Sequence, residues 1–146
     1  MLYGAQKVFG VDVGLGQVHE KIRNNPNVIV MEKTNLRHIT HLPNNELVDL
    51  VTLDLSFISV LKVMDAIKSV LKPNGKMIIL IKPQFEAQRN EVGRGGIIKD
   101  SAIHEKIVHN LIDEIKKFGF EFIDLTESPI TGTMGNKEFL AYFVKE

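Results

Sequence analysis

At 146 residues, 44% hydrophobic and 25% charged, the sequence has the make-up of one globular domain, and no apolar run approaches the roughly 18 residues of a membrane span. The absence of cysteine excludes disulfides and thiolate zinc sites and suits a cytoplasmic protein. Eighteen Lys and Arg balance eighteen Asp and Glu, so RNA or DNA affinity would need a local basic patch or a partner domain.

The first predicted strand, Val8–Asp12, runs into "DVGLGQ", an acid followed by G-x-G (Asp12, Gly14, Gly16). Such a loop could cradle a phosphate or simply turn the chain, and Gln17-Val18-His19 supplies no third glycine, so the motif is weak. Val28–Met31 is the next strand, followed by "EKTNLR". His38 and His41 could be neighbours on a helical turn, but no further ligand is placed beside them and no metal is expected. Val48–Asp54 is a third apolar run. Val60, Val63, Met64, Ile67, Val70 and Leu71 then keep helical spacing until Lys72–Gly75 ("KPNG") stops them. The Met77–Lys82 strand leads into the glycine-rich stretch Arg89–Asp100. Ile103, Ile107, Val108, Leu111, Ile112, Ile115 and Phe118 predict a second long helix, entered by Asp100-Ser101 and closed by Gly119. Two more strands, Phe120–Leu125 and Phe139–Val144, flank "TESPITGTMGNKE".

Mostly continuous apolar strands alternating with helices imply an open α/β sheet covered by helices on both faces. The last two strands lie too close in sequence for a helical crossover, so an antiparallel pairing is expected there, with room for another strand between them. A parallel sheet with an antiparallel C-terminal strand resembles the methyltransferase variant of the Rossmann-like fold. In that fold the fourth strand ends in a catalytic acid and the fifth follows an LKPGG-like turn. Asp54 and "LKPNG" match those landmarks, which makes Val8–Asp12 the second strand of the sheet and "DVGLG" the turn after it. On this count the first strand and its glycine-rich loop are missing from residues 1–146. Taking the G-x-G at face value instead gives an NAD-binding half-domain, with Glu32 as the ribose contact.

The segments "VDVGLGQ", "VMEKTNLR", "DLVTLDLSFIS", "IKPQFE", "GRGGIIKD" and "ESPITGTMGNKEFL" together resemble the TlyA/hemolysin A family of FtsJ-like ribosomal RNA methyltransferases. The resemblance covers almost the whole chain. It implies transfer of a methyl group from S-adenosylmethionine to a ribose 2′-hydroxyl, typically of cytidine, with rRNA or a ribosomal subunit as partner. It also implies an S4-like RNA-binding domain and a D-x-G-x-S-T-G-G loop upstream, neither of which these residues contain. Residues 1–146 would then be a partial catalytic domain with weakened cofactor binding. The family's hemolysin name has no counterpart in an amphipathic or membrane-spanning element here, and no membrane partner is expected.

Within that resemblance, Asp54, Lys82 and Glu138 match the last three members of a Lys-Asp-Lys-Glu catalytic tetrad. A ribose hydroxyl is a poor nucleophile until its proton is removed, so Lys82 is expected as the base or the hydroxyl-orienting group. A lysine, ordinarily titrating near 10.4, acts as a base at neutral pH only if its surroundings favour the amine, and two neighbouring carboxylates do the reverse. Leu55 and Ser56 stand where amino-group methyltransferases carry prolines, which argues against methylation of a base nitrogen. Asp12 is the expected ribose contact of the cofactor, Asn35 its adenine contact, and Asp54 also borders the cofactor. Arg89, Arg94 and Lys99 are the expected RNA contacts, because glycines give their loop freedom and Ser56–Asp100 carries eight Lys and Arg against four Asp and Glu. The competing reading is a non-catalytic RNA- or protein-binding remnant, in which strands left open by the missing neighbour pair in a homodimer.

Overall fold

The computed structural model describes residues 3–146; Met1 and Leu2 of the opening "MLYGAQKV" segment lie outside the described residues. Two strands, β1 (Val8–Val11) and β2 (Val28–Met31), pair in parallel with Val8 opposite Val28 and Val11 opposite Met31. The single helical turn α1 (Glu20–Arg23) connects them. A second sheet holds β3 (Val48–Asp54), β4 (Leu71–Ile81), β5 (Phe120–Glu127) and β6 (Phe139–Lys145) in the spatial order β3-β4-β6-β5. β3 and β4 are parallel, whereas β6 runs antiparallel to both β4 and β5. The antiparallel C-terminal strand is therefore present. No strand separates β5 from β6, because β6 itself occupies the place between β4 and β5.

Between β3 and β4 the chain makes a 3-10 turn, Val60–Val63, and the helix α2 (Met64–Val70). That helix stops one residue before Leu71, and the "KPNG" segment opens β4 as an irregular turn. Asn74 takes φ +58° there, and the register with β3 shifts between Val48 and Leu50. After β4 come one helical turn, α3 (Pro83–Glu86), a long loop, and α4 (Ser101–Lys116). Asp100 caps α4, its carboxylate accepting from the Ala102 N–H at 2.9 Å, and Gly119 leaves the helix at φ +85°, a conformation that costs glycine little.

The core lies on one side of the four-stranded sheet. Leu53, Met77, Ile79, Ile81, Ala141 and Phe143 point into it and meet Met64 and Ile67 of α2 and the Val108, Leu111, Ile112 and Ile115 stripe of α4. The opposite face departs from the expectation of helices on both sides. Leu50 is 49% exposed there and Ile78 37% exposed, with Leu80, Leu140 and Tyr142 only half-buried. Burial along Met77–Ile81 of β4 thus alternates although that run is continuously apolar. The apolar run encodes two buried faces, and the helices α2 and α4 both pack on the same one. β1 and β2 share no strand pairing with the larger sheet; Phe9, Val11 and Met31 instead join it through a smaller core of Ile39, Leu42, Ala66 and Val70 that also touches Val48 and Val51.

Candidate active site

Parallel strands deliver their C-terminal ends to one edge of a sheet, where open α/β folds bind ligands. β3 ends in Asp54 and β4 is followed by Lys82. The antiparallel β6 begins beside them, with Phe139 opposite Ile81, so that Glu138 and Lys82 extend the same register from neighbouring strands. Lys82 Nζ lies 2.7 Å from Asp54 Oδ1 and donates to Ser56 Oγ at 3.0 Å. The Lys82 side chain is 14% exposed and that of Asp54 is 70% exposed, so a mostly covered lysine is held by a carboxylate that faces water. An ammonium has three N–H donors, and these contacts use two. Glu138 is buried on the neighbouring strand but makes no ion pair with Lys82 among the described residues. Its carboxylate packs against Gly132, where an added Cβ would come within 2.1 Å of Oε1, so only glycine admits the carboxylate in this place.

Three residues at this edge carry signals that the sequence reading did not use. Ser56 supplies the second acceptor for Lys82. Phe57 is 90% exposed and sits at φ +64°, a left-handed conformation that costs a bulky residue about 1–3 kcal/mol. Its ring lies 4.9 Å from that of Phe85, inclined by 52°. The third is Glu86, whose carboxylate accepts from Ser59 Oγ at 2.6 Å and from the Val60 N–H at 2.8 Å. Burial pushes the Glu86 carboxyl above its ordinary range, with those two hydrogen bonds pulling the other way. An aromatic between Ser56 and Ile58 in "DLSFIS", directly after the acid that ends the strand, was the available clue to Phe57. The Glu86 contacts span 26 and 27 residues and have no local sequence pattern.

The long loop before α4 is tied to the segment before Glu138. Asn136 is buried; its side chain accepts from the Ile98 N–H at 3.4 Å and donates to the carbonyls of Gly96 at 3.1 Å and Thr133 at 3.2 Å. Gly95 and Gly96 turn the loop at φ +81° and +77°. Arg89, Arg94 and Lys99 are all exposed on it.

At the other sheet, Asp12 follows β1 and its Oδ1 accepts from the Gly14 N–H at 2.6 Å. Glu32 follows β2, accepts from the Gly16 N–H at 2.7 Å, and is gripped at both oxygens by Arg23 at 2.7 and 2.9 Å. Hydrogen bonding to Arg23 holds the Glu32 carboxyl below the usual carboxylate range. The G-x-G amides that would face a diphosphate are thus already donated to two carboxylates, and Glu32 is engaged in closing the turn. Asp12 keeps its second oxygen for an outside donor. Asn35 caps the turn Leu36–His38, accepting from the Arg37 N–H at 3.1 Å. His38 and His41 are exposed, and no group of three or more metal-ligating side chains occurs among the described residues.

The sequence model of the FtsJ-like methyltransferase family matches residues 1–145. The chain is 41% identical over 143 residues to Hemolysin A of Brachyspira hyodysenteriae, covering 97% of this chain and 60% of that protein. It is 35% identical over 139 residues to the 16S/23S rRNA (cytidine-2'-O)-methyltransferase TlyA of Mycobacterium tuberculosis, covering 95% and 52% of the two. A solved structure described as a hemolysin from Streptococcus thermophilus superposes with a TM-score of 0.94 at 38% identity, covering 97% of this chain and 52% of that one. The chain spans about half to three-fifths of the length of these relatives.

Proposed function

Because the chain belongs to the FtsJ-like methyltransferase family, we propose that it carries the acceptor side of a ribose 2′-O-methyltransferase that modifies cytidine in ribosomal RNA, in the cytoplasm, with S-adenosylmethionine as methyl donor. The observation that carries this reading is the Lys82 ammonium, held by Asp54 and Ser56 at the end of the sheet beside Glu138. S-adenosylmethionine, when bound, supplies an electrophilic methyl group. Asp12 fits the ribose diol of that molecule through its unused carboxylate oxygen. Asn35 stands nearby on the turn after β2, offering its amide to the adenine. The third N–H of Lys82 points the way to the reaction: it orients the 2′-oxygen and stabilises negative charge there as the hydroxyl proton departs toward Asp54 and water. Glu138, buried across the register, keeps a second carboxylate at the same edge. Phe57 offers a flat apolar surface against which the base of the target nucleotide stacks, and Arg89, Arg94 and Lys99 provide phosphate contacts.

The test is to incubate the complete protein with ribosomal subunits and isotopically labelled S-adenosylmethionine, then digest the RNA to nucleosides. Label is expected in 2′-O-methylcytidine; label on a base nitrogen would refute the acceptor assignment. In the same assay Phe57→Ala should weaken the apparent affinity for RNA by about 5–150-fold, the equivalent of one lost base stack.

A second reading concerns completeness, and the open sheet favours it. Among the described residues β1 and β3 each leave an edge without a partner strand, and the face bearing Ile78, Leu80, Leu140 and Tyr142 has no helix packed on it. The reading is that residues 1–146 form a partial domain. A further strand with a glycine-rich cofactor loop would enter between β1 and β3, a helix would cover the bare face, and an S4-like RNA-binding domain would precede both. In isolation the chain is expected to show little S-adenosylmethionine binding by calorimetry, and extension by the preceding segment should restore it. Micromolar affinity in the 146-residue chain would overturn this reading. Light scattering on the same sample distinguishes a monomer from a homodimer that closes the gap with a second copy.

A further inference from the structure

We propose that Glu86 is a positioning residue whose carboxylate fastens the loop bearing Ser56 and Phe57 to the turn after Lys82, so that both halves of the site move as one body. The catalytic consequence rests on the methyltransferase reading above; the latch itself rests on geometry alone.

The site is assembled from two segments that are distant in sequence. One leaves β3 at Asp54 and passes through Leu55, Ser56 and Phe57 to Ser59. The other leaves β4 at Lys82 and turns through α3 to Glu86. Three contacts join them: Lys82 to Asp54 and Ser56, Phe57 to Phe85, and Glu86 to Ser59 and Val60. The first two are made by groups that substrate would touch. Only the third lies behind the site. Each Glu86 oxygen accepts one hydrogen bond, at 2.6 Å from Ser59 and 2.8 Å from Val60, and bonds to an ionised acceptor are shorter and stronger than neutral ones.

Position explains why a distant carboxylate is used. The N–H groups that open a helical segment have no partner within it. Ser59 takes the one from Leu61 at 3.2 Å, and Glu86 takes the one from Val60. Capping of the Val60–Val70 segment is therefore shared between a local serine and a residue from the turn after Lys82. An isolated helix start needs only the serine. The shared cap ties the strained, exposed Phe57 to a fixed point two residues further on. Backbone strain of that kind persists only where the surroundings over-determine it. Burial pushes the Glu86 carboxyl up, and the bonds from Ser59 and Val60 oppose that push by favouring the carboxylate that accepts them.

The test uses Glu86→Gln, Ser59→Ala and the double variant in the complete protein. Each is also combined with Phe57→Trp in the 146-residue chain, where the introduced fluorophore is unique because these residues contain no tryptophan. With the latch intact, the introduced indole, exposed but held by its loop, should show little nanosecond local motion in time-resolved fluorescence anisotropy, and Glu86→Gln should raise the amplitude of that motion at least about twofold. In the background that retains Phe57, kcat should fall about tenfold while the dissociation constant for S-adenosylmethionine stays within about twofold, as expected when reacting groups lose alignment. The double variant should be no worse than Glu86→Gln alone, because both changes cut the same connection. Unchanged local motion of the indole, or strictly additive losses, would overturn the proposal. Anisotropy reads the latch whether or not RNA is methylated, so failure of the methyltransferase reading and failure of this inference give different results.

Discussion

Lys82→Ala in the complete protein is expected to lower kcat by about 10²–10³-fold, the usual worth of a donor that stabilises charge developing in the transition state, while leaving the affinity for S-adenosylmethionine within about twofold. The separation follows from where the ammonium sits. Its contacts are Asp54 at 2.7 Å and Ser56 at 3.0 Å, both at the acceptor edge, whereas the proposed cofactor contacts Asp12 and Asn35 lie after β1 and β2. Stability should change little, because the abandoned Asp54 carboxylate is 70% exposed and water can solvate it. Lys82→Arg should not restore turnover, since a planar guanidinium cannot place a donor where the compact ammonium does. Single-turnover methylation paired with calorimetry makes the measurement, and turnover within twofold of the parent would reject the role given to Lys82.

The largest stability effect is expected at Phe143. Its ring is fully buried and meets Phe122 edge-on at 5.6 Å and 65°, while its backbone is in register with Met77 on one side and Phe122 on the other. Phe143→Ala removes the ring from the layer between the sheet and the helices α2 and α4, which neither helix can collapse to fill without losing contact with Met77 and Ile79. A loss of about 3–5 kcal/mol is expected, against a total of about 5–15 kcal/mol for a typical domain. Urea denaturation followed by far-ultraviolet circular dichroism reads it. One position away on the opposite face of β6's neighbour, Ile78→Ser should cost less than about 1 kcal/mol in the 146-residue chain, since that side chain is already 37% exposed. Equal losses at the two positions would mean that the second face is covered in solution.

The contrast between these two substitutions also shows where sequence reading reaches its limit. "KMIILI" is apolar at every position but the first, so it identifies a strand yet gives both faces the same weight. Only the placement of α2 and α4 on one side distinguishes Met77, Ile79 and Ile81 from Ile78 and Leu80. The opening "DVGLG" is similar: its spacing admits a phosphate cradle, and it is Asp12 on Gly14 and Glu32, reaching back from the next strand with Arg23, on Gly16 that take up its amides.

By itself the sequence determined the α/β class, the strand positions, the antiparallel end and the family motifs that single out Asp54, Lys82 and Glu138. These are properties of local periodicity, turn chemistry and short runs of residues, which the chain carries wherever it folds. Tertiary structure alone decided that Ser56 shares the Lys82 ammonium, that Gly132 makes room for Glu138, that Glu86 braces Phe57, and that one sheet face is left bare. Each of those depends on how the chain folds back on itself, across 26 or 27 positions for the Ser56 and Glu86 contacts and within one loop for Gly132, or on which side a helix packs. Distance and side are products of packing, and no local pattern encodes them.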